Sequence, residues 1–259
     1  MTKKHVKIDS LPESARRHSG YDAVVCVDVL LSATTLVTAV AQGRRVFAAS
    51  DPGHAARLRS VPVDALLLTD ILEEADDVLR FAGPSWLAHG GGRGRHALVY
   101  VSPLARMMAA AAPRARVYVA CLRNLDATAN ELALRHRHVA ILGAGDGGEI
   151  CSEDQMAAAW LAVRLQQRGF ELEGRNTVRE VQRWGTFEPA LVGLSRSAER
   201  LRSSGRGADV EFVLHHVNDL NVVCSYAGGE MSDRAAGRKR LAEGSPTRAH
   251  DVGRSAPGH

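Results

Sequence analysis

The chain has 259 residues, 45% of them hydrophobic and 24% charged, with a formal net charge of +4. That composition suits a globular protein of one large α/β domain or two small lobes. Six Arg and Lys side chains against two acidic ones within residues 234–259 account for the whole of the charge, so the body is neutral and offers no support for a nucleic-acid-binding face.

No apolar run approaches the ~18–20 residues that span a bilayer, so no membrane partner is expected. Cys26, Cys121, Cys151 and Cys224 are scattered, with no CxxC and no zinc spacing. The amino terminus carries no secretory signal pattern, and the reading is a reduced, cytoplasmic protein. The Gly, Ser, Pro and Arg content of residues 233–259 predicts a disordered basic tail behind an α/β domain over residues 1–232.

Lys4 to Ile8 predicts a short first strand, followed by a polar link over Leu11 to Gly20. The run Val24-Val25-Cys26-Val27 then ends in Asp28, and Ser32-Ala33-Thr34-Thr35 leads into an apolar-periodic segment to Gly43. This pattern predicts a buried strand, a loop and a helix that begins near Ser32 to Thr35. Ligands of open α/β sheets sit outside the carboxyl ends of strands. A lone Asp there, facing a helix amino terminus, can hold a cation beside an anion. In the plainer alternative Ser32, Thr34 and Thr35 cap the helix and Asp28 braces the turn.

Arg45 to Ala49 predicts a strand, and Asp51-Pro52 opens a helix to Arg59. Val63 to Thr69 reads as a strand and Ile71 to Arg80 as an acidic segment of helical character. Pro84 to His96 is breaker-rich and predicts a loop. It holds Gly90-Gly91-Gly92-Arg93-Gly94-Arg95, which could cradle a phosphate or serve as a connector. Ala97 to Val101 predicts a strand, with Ser102-Pro103 starting a helix to Ala112 that carries Arg106.

Val117 to Cys121 predicts the next strand, leading through Asn124 into an Ala-rich helix to about Arg137. Val139 to Leu142 follows. A Gly-rich turn then reaches Cys151-Ser152-Glu153-Asp154, which opens a long amphipathic helix to Gly169. Two acidic residues in a first helical turn are common for dipole reasons alone. Helices are predicted over Thr177 to Trp184 and Leu191 to Ser203, and late strands over Ala208 to Leu214 and Asn221 to Ser225. The alternation predicts crossover units and a sheet with a substantial parallel part.

The Asp28 stretch resembles the Asp-Val-Leu-Arg-Ala-Ser/Thr-Thr-Thr signature of the 2-phosphosulfolactate phosphatase family, which are magnesium-dependent phosphatases. Asp28, Thr34 and Thr35 stand where the family has its Asp and two Thr, while Leu31 replaces its Arg. Arg93 matches a Gly-Glu-Arg segment with Gly92 in place of Glu. Arg106 is all that remains of Thr-Thr-Asn-Gly-Thr-Arg, and Asn124 matches the Asn of a Gly-Ser-Phe-Leu-Asn-Ala turn. Ser152-Glu153-Asp154 resembles the family's Ser-x-Glu-Asp helix start.

The resemblance implies a three-layer α/β/α fold with a largely parallel or mixed sheet, and hydrolysis of a phosphate monoester on a small hydroxy acid. It further implies Mg2+ on Asp28, Glu153 and Asp154, and a substrate phosphate held by Ser32, Thr34, Thr35, Arg93 and Asn124. Asp28 and Arg106 would be catalytic. The implied partner is a small phosphorylated metabolite, with homo-oligomerisation left open. Loss of one electrostatic stabiliser at Leu31 can cost ~10²–10³ in rate, so either the substrate has changed or activity is reduced. A catalytically silent scaffold that binds a small anion is the alternative, and an α/β enzyme without phosphate chemistry is a third.

Overall fold

The computed structural model describes residues 3–9, 18, 20–58, 62, 64–70, 80–145, 149–186 and 188–234. The expected helix over Ile71 to Arg80 lies outside these apart from Arg80, and so does the tail beyond Arg234.

Helices pack on both sides of one mixed sheet. The apolar runs become β1 (Lys4–Asp9), β2 (Ala23–Val27), β3 (Arg45–Ala49), β4 (Leu66–Thr69), β5 (Arg80–Phe81) and β6 (Ala97–Val101). Next come β7 (Arg116–Ala120), β8 (His138–Gly143), β9 (Phe170–Leu172), β10 (Cys224–Ala227) and β11 (Glu230–Asp233). Their order across the sheet is β5-β4-β6-β3-β11-β10-β7-β2-β8-β1-β9. Strands β7, β2, β8, β1 and β9 are mutually parallel. Strands β3, β6, β4 and β5 form a second parallel set. The β10–β11 hairpin pairs antiparallel with β7 on one side and β3 on the other, and so stitches the two sets together.

A strand covered on both faces needs apolar residues at every position, and β2 is buried throughout for that reason. Val24 and Cys26 enter the core under α1 (Ser32–Ala41) and α4 (Pro103–Ala111). Ala23, Val25 and Val27 enter the opposite core, under α5 (Leu125–Arg135) and α6 (Ser152–Gln166). On the second parallel set, Phe47, Ala49, Val99 and Val101 pack with Ala55 of the short α2 (Pro52–Arg57). Asp51 caps α2 by accepting from the His54 backbone N–H at 2.7 Å.

Several expectations need correction. Ala208 to Leu214 is not a strand but lies in α9 (Gly207–His215). Its β-branched and aromatic content reads as strand, yet Asp209, Val210, Phe212 and Val213 bury one helical face. Asp209 fixes that start by accepting from the Ser85 N–H at 2.9 Å and from the Arg206 guanidinium. The segment from Pro84 is not loop throughout, because Pro at the first turn starts α3 (Pro84–Ala88). The helix expected over Leu191 to Ser203 breaks at Ser195 into a 3-10 helix (Pro189–Leu194) and α8 (Arg196–Ser203). There the Ser195 hydroxyl caps Ala198 N–H at 3.1 Å. The helix after β9 begins earlier than expected, as α7 (Gly174–Trp184). Ser102 sits at the N-cap of α4, but its hydroxyl makes no capping bond. The edge strand β9 and the closing strand β11 were not anticipated.

Candidate active site

Carboxyl ends from both parallel sets meet at one crevice of about 370 Å³. Asp28 follows β2 and Gly145 follows β8; Asp70 follows β4 and Pro103 follows β6. Glu153 and Asp154 reach the same space from the first turn of α6, and Arg200 from α8. Asp28 and the 153–154 pair, 125 residues apart in the chain, are therefore neighbours.

Backbone amides set the positions of these acids. Asp154 Oδ1 accepts from Val29 N–H at 2.9 Å and its Oδ2 from Gly145 N–H at 3.2 Å. Both oxygens are thus committed to the loops after β2 and β8. Gly145 has φ of +64°, and a Cβ there would come within 2.4 Å of the Glu149 carbonyl. Only glycine closes this turn, so Gly145 is part of how Asp154 is placed. Asp28 Oδ1 accepts from Ser32 N–H at 3.1 Å, and Ser32 Oγ donates to the Asp70 carboxylate.

Burial raises the Asp28 carboxyl to about 8, with the charges of Asp70 and Glu153 adding to it against the Ser32 hydrogen bonds. Burial and the charges of Asp28 and Glu153 also hold Asp154 well above the ordinary carboxylate range, despite its two N–H donors. Like charges crowded in a low-dielectric crevice stay ionised together only when a cation joins them. The Cys151 thiol, at the crevice edge, is pushed far up by burial and by Glu153 and Asp154, which disfavours a thiolate nucleophile.

Other expected site residues lie elsewhere or face away. Thr34 and Thr35 are fully buried; their hydroxyls donate to the carbonyls of Val29 and Leu31 at 2.8 and 2.9 Å. They shape the turn that presents Leu31 and Ser32 to the crevice. Asn124 is equally buried: its Oδ1 accepts from Cys121 N–H, and its Nδ2 donates to the carbonyls of Val119 and Val222. Arg106 is exposed and donates to the Ser50 carbonyl at 3.3 Å, outside the crevice lining. Arg93 precedes β6, at the amino end of that strand, and its guanidinium lies over Gly90. The crevice thus does not bring in Arg93, Arg106 or Asn124.

Two charged lining residues were missed, Asp70 and Arg200. Asp70 had a visible signal, since an apolar run ends in a carboxylate there just as at Asp28. Arg200 had none, because only the packing of α8 on α9 and on the 3-10 helix before it brings this side chain to the acids.

Among the described residues, no three His, Cys, Asp or Glu side chains are arranged to hold a metal ion. Asp28, Glu153 and Asp154 all line the crevice, and both Asp154 oxygens already accept backbone N–H groups, so Asp154 braces the loops. Magnesium needs only one or two carboxylates beside waters and phosphate oxygens. Asp28 and Glu153 are hard oxygen donors beside a crevice whose crowded acids need a counter-charge, and this donor set fits such an ion. No helix among the described residues is long and apolar enough to cross a membrane.

Fold and crevice together define an α/β protein with an acidic ligand site at converging strand ends. Residues 9–229 match the family model described as 2-phosphosulpholactate phosphatase, and the chain belongs to that family. No curated protein matches the chain.

Proposed function

We propose that this protein is a Mg2+-dependent phosphatase that hydrolyses a phosphate monoester of a hydroxy acid, with a substrate altered from that of its family. Membership of a phosphatase family supports the reaction class. The observation that carries the reading is the convergence of Asp28, Asp70, Glu153 and Asp154 on one crevice with Arg200 beside them.

Asp28 and Glu153 would hold the ion, which supplies neutralisation of phosphoryl charge and activation of water. Asp154 keeps the two loops in register through Val29 and Gly145. The amino-terminal end of α1, at Leu31 and Ser32, offers the positive end of the helix dipole to phosphate oxygens. Arg200 supplies a guanidinium suited to an anionic oxygen. In the reaction a water oxygen bonds to phosphorus while the ester P–O bond breaks. The water's proton ends on the departing alcohol, and inorganic phosphate remains.

The test is phosphate release from a panel of phosphorylated hydroxy acids, with Mg2+ and with the metal chelated. Release that depends on the ion supports the reading. Tight anion binding with no release under either condition would replace it with the silent scaffold.

A further inference from the structure

The crevice adjoins a larger outer cavity of about 1010 Å³ and shares Cys151, Glu153, Ser197, Arg200 and Ser204 with it. We infer that this outer cavity is the subsite for the leaving-group body of the ester, and that this body is extended and partly apolar rather than a three-carbon hydroxy acid. The inference rests on the phosphatase reading of the inner crevice.

Size argues first. The inner crevice alone is of the right order for a phosphate, a cation and a few waters. An outer space of this volume is at the upper end of the ~300–1,000 Å³ of pockets that hold drug-sized ligands. A three-carbon acid would leave it to solvent.

The lining argues second. Leu194 is 81% exposed and Ile150 is 55% exposed, and both stand on the rim of this cavity. Neither helps to build the core, and together they offer an apolar surface next to the reacting centre. Ser203 and Ser204 add hydroxyls, and Arg196 and Arg200 add two guanidinium groups.

Charge argues third. Leu31, buried and apolar, lines the inner crevice and brings no charge to it. Of the two guanidinium groups of α8, that of Arg200 lines both spaces and that of Arg196 stands on the outer side alone. An anionic or hydroxylated group on the substrate would therefore lie farther from the phosphorus, between the crevice and Arg196. Hydrolysis itself is unchanged: water adds to phosphorus, the ester oxygen leaves with the extended body as an alcohol, and that alcohol takes the proton.

The experiment uses the full chain with Mg2+ and two probes, the phosphate esters of a three-carbon 3-hydroxy acid and of an eight-carbon 8-hydroxy acid, whose carboxylate lies remote from phosphorus in the longer probe. Their non-hydrolysable phosphonate analogues are titrated calorimetrically in parallel. Each additional buried methylene contributes about 0.8 kcal/mol, so the longer probe is expected to show at least a tenfold higher kcat/KM and a tenfold tighter phosphonate. Leu194→Asp and, separately, Ser203→Trp should lower the long-to-short ratio about tenfold; both positions are exposed, so folding is spared. Equal handling of the two probes, or ratios that neither substitution moves, overturns the inference. Preference for the long phosphonate with no turnover of either ester upholds the subsite and removes the hydrolytic reading instead. Failure of both phosphonates to bind overturns the inference.

Discussion

Replacing Asp28 by Asn should stabilise the protein while it abolishes activity. Asn is nearly isosteric and keeps an oxygen for the Ser32 N–H, so the turn into α1 is preserved. What it removes is a carboxyl that burial, Asp70 and Glu153 raise to about 8. An unfolded Asp titrates near ~3.9. Between these two values the native state retains a proton that the unfolded state has released. Without a cation, stability therefore falls as pH rises from about 4 to about 8. Over that window the loss is on the order of 5 kcal/mol. Asp28→Asn should recover most of it at pH 8, which is roughly 10 °C in Tm for a domain of this size, and much less at pH 5. Mg2+-dependent phosphate release should drop by at least about 10² in kcat, as for loss of an electrostatic stabiliser. Differential scanning calorimetry in chelator at pH 5 and pH 8, paired with phosphate release, measures both. A variant that loses stability equally at the two pH values, or that keeps its turnover, would refute the reasoning.

Protons and the cation compete for Asp28, so Mg2+ affinity should weaken as pH falls through 8, approaching tenfold per unit below it; calorimetric titration between pH 6 and pH 9 measures this. Gly143→Ala would place a Cβ 3.0 Å from Gln155 Nε2 and 3.2 Å from Asp154 Cβ. This should shift the first turn of α6 and lower kcat about tenfold while Tm falls only modestly. Asn124→Ala strips three buried backbone partners and should cost about 2–3 kcal/mol in urea unfolding with KM unchanged. Arg93→Ala and Arg106→Ala should each change kcat/KM less than about twofold, whereas Arg200→Ala should lower it at least tenfold, read in one steady-state series.

The sequence pattern made the sheet legible wherever a strand is buried on both faces. Val24 to Val27, Val46 to Ala49 and Ala97 to Val101 are apolar throughout because they are buried in the sheet's cores. It failed where tertiary contacts decide. Ala208 to Leu214 has strand composition, yet Asp209 is anchored to Ser85 and Arg206, which favours a helix. Strand β9 has three residues and takes its pairing from β1, far away in the chain, while β11 is a four-residue, half-polar strand of a hairpin with β10.

At the site, Asp28 and the 153–154 pair were readable from their places at a strand end and a helix start. The family motif also pointed to Arg93, Arg106 and Asn124, which the fold spends on other contacts. A motif match assigns positions along the chain, but only packing determines which side chains face the crevice. Arg200 and Asp70 came into view through that packing.

The most direct test of the central claim is an anomalous-diffraction experiment on crystals soaked with Mn2+ as a stand-in for Mg2+. A single peak about 2.1–2.2 Å from oxygens of Asp28 and Glu153, lost on chelation, is the predicted result. Phosphate release that persists while the crevice shows no peak would contradict it.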